Sequence, residues 1–202
     1  MKLKFLDLKK QSLKIQNRII NSIRNNIRTS SFIGGDDLIK FEKEFKNFLK
    51  IKYCLGLANG TDALEIAIKA LNLKNNSEIL VPANTWISTA EAVLNNNLKI
   101  KFVDVDETHN ICINDLKNKI NPNTSAIIVV HLYGNPANLG EIIKLKKKYN
   151  FKLIEDCAQA HGAEYKGRKV SNFGDIGTFS FFPSKNLGCY GDGGCVVTNN
   201  NK

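Results

Sequence analysis

The 202-residue chain is 43% hydrophobic and 24% charged; it has a charge-interrupted N-terminus and no apolar run of membrane-spanning length, so we expect neither a signal peptide nor a membrane partner. Its formal net charge of +10 comes from lysines spread along the chain without an accompanying aromatic stripe, which argues against nucleic-acid binding. Its five cysteines include no CxxC pair, which argues against a disulfide framework or a structural metal site and favours a reducing cytoplasm.

The N-terminal region has the apolar spacing of helices. Leucine and isoleucine recur at three- and four-residue steps over the first thirty residues, and the sequence SFIGGDD at 31–37 interrupts this pattern. A second helix follows, with Leu38, Phe41 and Phe45 on one face. We therefore interpret residues 1–36 as an N-terminal helical segment and 37–202 as the main domain.

Short β-rich runs then alternate with helical stretches. The predicted strands are Tyr53–Ala58, Glu78–Pro82, Lys99–Val105, Ala126–Leu132, Phe151–Glu155, Thr178–Phe182 and Gly193–Thr198. The predicted helices are Thr61–Leu71, Trp86–Asn95, Asn114–Lys119 and Leu139–Tyr149. This alternation predicts an α/β fold with a mostly parallel sheet that helices cover on both faces. The chain stops directly after its last strand, so we expect a single domain whose continuation is missing or encoded elsewhere.

In such a sheet, ligands bind beyond the carboxyl ends of the strands, and polar segments follow four of the predicted strands. In the first of these, Gly60 permits unusual backbone angles, while Thr61 can cap a helix and donate a hydroxyl. The free N–H groups of that helix start suit a phosphate. Taken alone, an ordinary capped strand–turn–helix connection explains this segment better.

A second segment, IEDCAQAH, brings acidic residues to the end of an apolar strand. Asp156 could pair with a protonated ring nitrogen, whose charge would lower the pKa of the carboxyl group. Ala158 is small enough for a flat ring to lie against it, and Gln159 could bond a ring hydroxyl. An acidic helix start is the alternative. We expect His161 to be a supporting residue and not a metal ligand.

The remaining two segments carry Lys185 and Trp86. Lys185 stands between an aromatic-rich strand and a glycine-rich turn, where a desolvated, neutral amine can form an imine with an aldehyde. Ser180, five residues earlier, could bond a phosphate. Trp86 is the only tryptophan and could stack on a flat ring. The alternatives are an exposed turn lysine and an indole that fills the core.

Together, the four segments supply a phosphate cradle, a partner for a ring nitrogen, a stacking aromatic side chain and an imine-forming lysine. Pyridoxal phosphate (PLP) requires all four, because it has a phosphate, a pyridinium nitrogen, a flat ring and an aldehyde. The combination therefore indicates PLP as the cofactor.

The chain resembles the DegT-type family of PLP-dependent sugar aminotransferases. The resemblance is carried by FIGGDDLIKFEKEF, NGTDALEIAIKAL, ILVPANTW, KFVDVDE, VVHLYGNP, LIEDCAQAHGAEYKG and GDIGTFSFFPSKNLGCYGDGG, of which the last two are the most specific. It implies the large PLP-binding domain of a fold-type-I aminotransferase, without the smaller C-terminal domain. Asp192 stands where the family usually has glutamate.

The resemblance also implies a role for each candidate residue. Lys185 would form the Schiff base, Asp156 would pair with the pyridine nitrogen, and Gln159 would contact the 3-hydroxyl side. Trp86 would stack on the ring, and the phosphate would be held by Gly60, Thr61 and Ser180.

The activity implied is transfer of an amino group, from glutamate, to a keto group of a nucleotide-linked sugar, for polysaccharide or glycan precursors. Members of the family act as homodimers when full length. One alternative is a PLP- or PMP-dependent sugar dehydratase, although such enzymes replace the Schiff-base lysine by histidine. Another is an inactive PLP-binding fragment.

Overall fold

The structure is a computed structural model that describes residues 5–201; residues 1–4 and 202, at the ends of the two predicted segments, lie outside it. Its helices are α1 (Leu8–Thr29), α2 (Gly35–Leu49), α3 (Gly60–Ala70), α4 (Ser88–Asn95), α5 (Ile113–Lys119) and α6 (Leu139–Tyr149). Its strands are β1 (Tyr53–Leu57), β2 (Glu78–Pro82), β3 (Lys99–Val103), β4 (Thr124–Val130), β5 (Lys152–Asp156), β6 (Glu164–Tyr165), β7 (Arg168–Lys169), β8 (Ile176–Ser180) and β9 (Gly194–Thr198).

Seven strands form one sheet in the order β1-β9-β8-β5-β4-β2-β3, and β6 and β7 form a separate hairpin. Only β9 is antiparallel to its neighbours β1 and β8; the other pairings are parallel. Because β9 is antiparallel to both β1 and β8, and β8 is parallel to β5, β1 and β8 run in the same direction as the central strands. The predicted mostly parallel α/β sheet is confirmed.

Both faces of the sheet are covered, because alternate residues of each central strand point to opposite sides. Ile127 and Val129 of β4 pack in one cluster, with residues of α2, α5 and α6. Ala126 and Ile128 of the same strand pack in another, with residues of α3 and α4. This two-sided burial explains the uninterrupted apolar sequence of β4.

Helix α1 differs from the rest, because none of its residues is buried. Its isoleucines at 15, 20, 23 and 27 are exposed, as are Phe32 and Ile33 in the connection to α2. Within residues 5–201, no helix is both long and apolar enough to cross a membrane.

Two glycines set how closely α3 approaches the sheet. A Cβ atom at Gly194 of β9 would collide with the backbone carbonyl group of Asn59, the residue just before α3. A Cβ atom at Gly60 would lie 2.6 Å from the Cβ atom of Ser180, the last residue of β8. The start of α3 therefore lies directly against the ends of β8 and β9, which only glycines at these positions permit.

This close approach predicts that Gly194→Ala lowers the free energy of unfolding by about 1–3 kcal/mol, because backbone atoms must move apart. Gly56→Ala on the paired strand β1 is the control, since its Cβ would meet chiefly the flexible end of Leu38. Urea denaturation of both variants measures the difference. Equal stability of the two variants would contradict the proposed backbone contact.

Candidate active site

Each of the seven candidate residues lies at the end of a strand or in the segment after it, and these strands all end at the same edge of the sheet. Gly60 and Thr61 begin α3 after β1, and Trp86 lies between β2 and α4. Asp156 ends β5, with Gln159 three residues later; Ser180 ends β8, with Lys185 five residues later.

The start of α3 forms a cradle for an anion. The side chain of Asn59 caps the helix, with Oδ1 accepting the N–H of Asp62 at 2.8 Å. The N–H groups of Gly60 and Thr61 have no acceptor within the helix because they belong to its first turn. The Ser180 hydroxyl lies beside Gly60 and accepts the N–H of Phe182 at 3.3 Å, so its own proton remains available. Backbone and hydroxyl donors thus converge where the helix dipole is positive.

Asp156 presents a carboxylate that is only 5% exposed. Its Oδ1 accepts the N–H of Ala158 at 3.0 Å, and its Oδ2 accepts the hydroxyl of Thr89 at 3.2 Å. No ion pair joins it to a basic side chain among residues 5–201. Burial raises the pKa of Asp156, while these two hydrogen bonds, the positive charge of Lys185 and, least of all, the His131 imidazole lower it. A cation that bound here would offset the desolvation of this carboxylate.

The neighbouring acid, Glu155, has a different role. It is fully buried and accepts N–H groups of Ser171, Phe173 and Gly174 at 2.9, 2.7 and 2.6 Å. His131 Nδ1 accepts a hydrogen bond from the N–H of Ala137 at 3.1 Å, so the ring proton lies on Nε2. This N–H donates a hydrogen bond to Glu155 Oε2 at 3.1 Å. Glu155 therefore fastens the loop that leads into β8, and no pattern in the sequence indicates its contact with His131.

Gln159 is oriented by an unusual backbone. Tyr133 has left-handed angles (φ 56°, ψ 20°), and its N–H donates to Gln159 Oε1 at 2.8 Å. Because the amide oxygen is engaged, the NH₂ group of Gln159 is the part that remains to donate to a ligand. The 3-10 turn Leu132–Gly134 that contains Tyr133 also ends β4 two residues earlier than the sequence predicted.

Lys185 is half-buried on the loop after β8, and its charge acts on both Asp156 and His161. His161 packs against the rings of Phe179 and Phe181, with centroid distances of 5.4 and 5.6 Å. Burial lowers the pKa of His161, which favours a neutral imidazole beside the lysine. Its assignment as a supporting residue stays a prediction. Within residues 5–201, no cluster of side chains suits a metal ion.

Trp86 is 72% exposed, so the alternative that its indole fills the core is wrong. The side chain is free to cover a ligand, and its stacking on a ring stays a prediction.

These groups fit PLP. A Cβ atom at position 60 would fill the space between the start of α3 and Ser180. With glycine there, this space offers N–H and hydroxyl donors to a phosphate. Asp156 is a buried carboxylate without an ion-pair partner among residues 5–201. The positive charge of Lys185 lowers the pKa of this carboxylate. The fold and this donor set together define the large domain of a fold-type-I aminotransferase.

Residues 13–202 match the DegT/DnrJ/EryC1/StrS aminotransferase family, and the chain belongs to this family. It is 40% identical over 99% of its length to the UDP-2-acetamido-2-deoxy-3-oxo-D-glucuronate aminotransferase of Pseudomonas aeruginosa, covering 56% of that protein. It is 44% identical over 96% of its length to the UDP-N-acetyl-3-dehydro-alpha-D-glucosamine 3-aminotransferase of Acidithiobacillus ferrooxidans, covering 53% of it. The chain thus spans about half the length of the curated relatives it matches.

Solved structures support the same assignment. S. venezuelae DesV superimposes with a TM-score of 0.94 at 34% identity, over 98% of this chain and 54% of that chain. Bacillus subtilis NtdA with bound PMP superimposes with a TM-score of 0.92 at 32% identity, over 99% of this chain and 46% of that chain. The fold-type-I expectation is confirmed.

The buried carboxylate predicts a stability gain on neutralisation. Asp156→Asn should stabilise the cofactor-free protein by roughly 0.5–2 kcal/mol at neutral pH, because it removes a buried charge and keeps the shape. Since the pKa of Asp156 is raised in the folded state, the charge destabilises at high pH, and the gain should vanish as pH falls below the pKa of the unfolded group.

Asp175→Asn is the matched control. Asp175 accepts the N–H of Leu153 at 2.7 Å and lies 2.9 Å from Lys146 Nζ, so neutralisation there should destabilise. Thermal unfolding of both variants across pH compares them. A loss of stability in Asp156→Asn as large as that in Asp175→Asn would contradict the description of Asp156.

Proposed function

We propose that the whole protein is a PLP-dependent aminotransferase that transfers an amino group, from glutamate, to a keto group of a nucleotide-linked sugar. The observation that carries this proposal is the buried carboxylate of Asp156, which has no ion-pair partner among residues 5–201 and lies at the same sheet edge as the loop that carries Lys185. The names of relatives that act on UDP- and dTDP-linked sugars support the substrate class, and a role in polysaccharide or glycan precursor synthesis follows from it.

In this proposal, Gly60, Thr61 and Ser180 bind the cofactor phosphate, and Gln159 donates to the ring 3-oxygen. Trp86 covers one face of the ring. Asp156 and Lys185 then lie at opposite ends of the ring. Each assignment uses the donor or acceptor that the protein's own contacts leave available.

When bound, PLP supplies an aldehyde that can bond an amine and a protonated ring that withdraws electrons. Asp156 keeps the proton on the ring nitrogen, because its ionised carboxylate lies in a buried setting where charge pairing is strong. Lys185 would act as the general base that removes the proton from the donor's α-carbon, and as the general acid that delivers a proton to the carbon that carries the cofactor's aldehyde. The presence of Lys185, where the resemblance expects histidine in a dehydratase, favours transamination.

Three further assignments belong to the proposal. Residues 1–36 form an N-terminal helical segment and 37–202 the cofactor domain, since α1 has no buried residue. The whole protein is a homodimer, in which exposed apolar side chains such as Phe32 and Ile33 become covered. It works in the cytoplasm, which agrees with five free cysteines.

The role of Lys185 predicts a covalent readout. Borohydride should attach PLP permanently to the peptide that carries Lys185, and Lys185→Ala should abolish the attachment. Lys166→Ala, which changes an exposed lysine, is the control. Mass spectrometry locates the added mass. With glutamate, the whole protein should form pyridoxamine phosphate and the Lys185→Ala variant should not. A whole protein that never takes up PLP would end the proposal.

The cradle predicts a phosphate-specific loss of affinity. Trp86 is the only tryptophan of these 202 residues, so quenching of its fluorescence should report PLP binding to this domain. Gly60→Ala should weaken PLP roughly tenfold or more, because the new Cβ displaces donors to a charged group. Pyridoxal, which lacks the phosphate, serves as the control ligand. An equal loss for both ligands would argue that Gly60 does not contact the phosphate.

A further inference from the structure

We propose that Thr89 is a positioning residue for Asp156, and that a chain of hydroxyl groups from Thr85 through Thr89 fixes this carboxylate relative to Trp86. The proposal rests on the proposed function, in which Asp156 is the partner of the ring nitrogen. It assigns a role to a residue of α4 that the sequence analysis did not single out.

The hydroxyl of Thr89 is directed at the carboxylate of Asp156. Thr89 is fully buried in the first turn of α4, and its Oγ1 lies 3.2 Å from Asp156 Oδ2. The other oxygen, Oδ1, is held by the N–H of Ala158 at 3.0 Å. Because each carboxylate oxygen has its own donor from a different segment, the plane of the carboxylate is fixed.

The direction of the chain follows from the charge of Asp156. An ionised carboxylate only accepts, so Thr89 must donate its single proton to Asp156. The hydroxyl of Thr85 lies 2.9 Å from that of Thr89 and must therefore be the donor in that pair. Two successive hydroxyl dipoles thus point toward the carboxylate and strengthen each other.

The same short segment joins three parts of the site. The carbonyl oxygen of Trp86 accepts the N–H of Thr89 at 3.0 Å, and Ser88 Oγ lies 2.7 Å from Thr61 Oγ1 in the cradle. Residues 85–89 therefore connect the backbone of Trp86, the anion cradle and the carboxylate. A hydroxyl at position 89 sets the spacing between the group that covers the ring and the group that holds its nitrogen.

The hydrogen bond from Thr89 affects the pKa of Asp156, so its loss can be measured as a change in pH dependence. Burial raises the pKa of Asp156, and the hydrogen bonds from Ala158 and Thr89, the positive charge of Lys185 and, least of all, the His131 imidazole lower it. The adjacent Cys157 thiol is also buried, which raises its pKa and keeps it neutral. Loss of the Thr89 hydroxyl should therefore raise the pKa of Asp156 further and leave its other partners in place.

The test compares Thr89→Val, which keeps the shape, with Thr89→Ser, which keeps the hydroxyl. The control is Thr178→Val, because Thr178 is also buried and its hydroxyl has no hydrogen-bond partner among the described residues. Affinity for PLP is measured against pH through Trp86 fluorescence. Because protonated Asp156 cannot pair with a ring cation, affinity should fall as pH falls.

In Thr89→Val we expect roughly tenfold weaker binding at neutral pH, and the acidic fall in affinity should begin at higher pH than in the wild type. Thr89→Ser should restore the profile, and Thr178→Val should match the wild type. Thr85→Val, at a partly buried position, should shift the profile in the same direction but less, and it provides the test should Thr89→Val fail to fold.

An unchanged affinity in Thr89→Val, or a loss that is equal at every pH, would overturn this proposal while leaving the proposed function standing. A wild-type protein that does not bind PLP at any pH would overturn both.

Discussion

A carboxylate buried without a fixed counter-charge is the constraint on which the candidate site depends. Asp156 ends a central strand, and among residues 5–201 its oxygens accept hydrogen bonds from a backbone N–H and a hydroxyl. Removing such a charge from water is unfavourable unless a cation arrives to pair with it. The strands on both sides of β5 hold this unfavourable arrangement in place and keep the carboxylate away from solvent. In the proposed function, the carboxylate is then available to pair with the bound cofactor.

The adjacent acid shows how the same strand end serves structure. Glu155 satisfies its charge internally with three N–H groups and the imidazole of His131. Consecutive strand residues point to opposite faces, so one acid fastens the loop before β8 while the other faces the site. The fastened loop fixes where β8 begins, and β8 in turn carries Ser180 and leads to Lys185. In the proposed function, the placement of Lys185 thus depends on the buried pair of Glu155 and His131.

Much of this arrangement could be predicted from the sequence, because apolar runs such as IIVV that alternate with helical stretches are typical of strands buried on both faces. The strand-end rule then placed Asp156, Lys185 and Gly60 at one edge. The bond between Thr89 and Asp156 could not be predicted, since it joins residues 67 positions apart through the packing of α4 on the sheet. The left-handed Tyr133 and the reversed direction of β9 leave no pattern in the sequence either, because tertiary packing alone imposes them.

A crystal structure of the whole protein with PLP tests the central claim most directly. The account predicts a single ring whose nitrogen lies within hydrogen-bonding distance of the Asp156 carboxylate and whose opposite end is bonded to Lys185 Nζ. A cofactor seated elsewhere, or a ring nitrogen that faces another group while Asp156 remains unpaired, would contradict it.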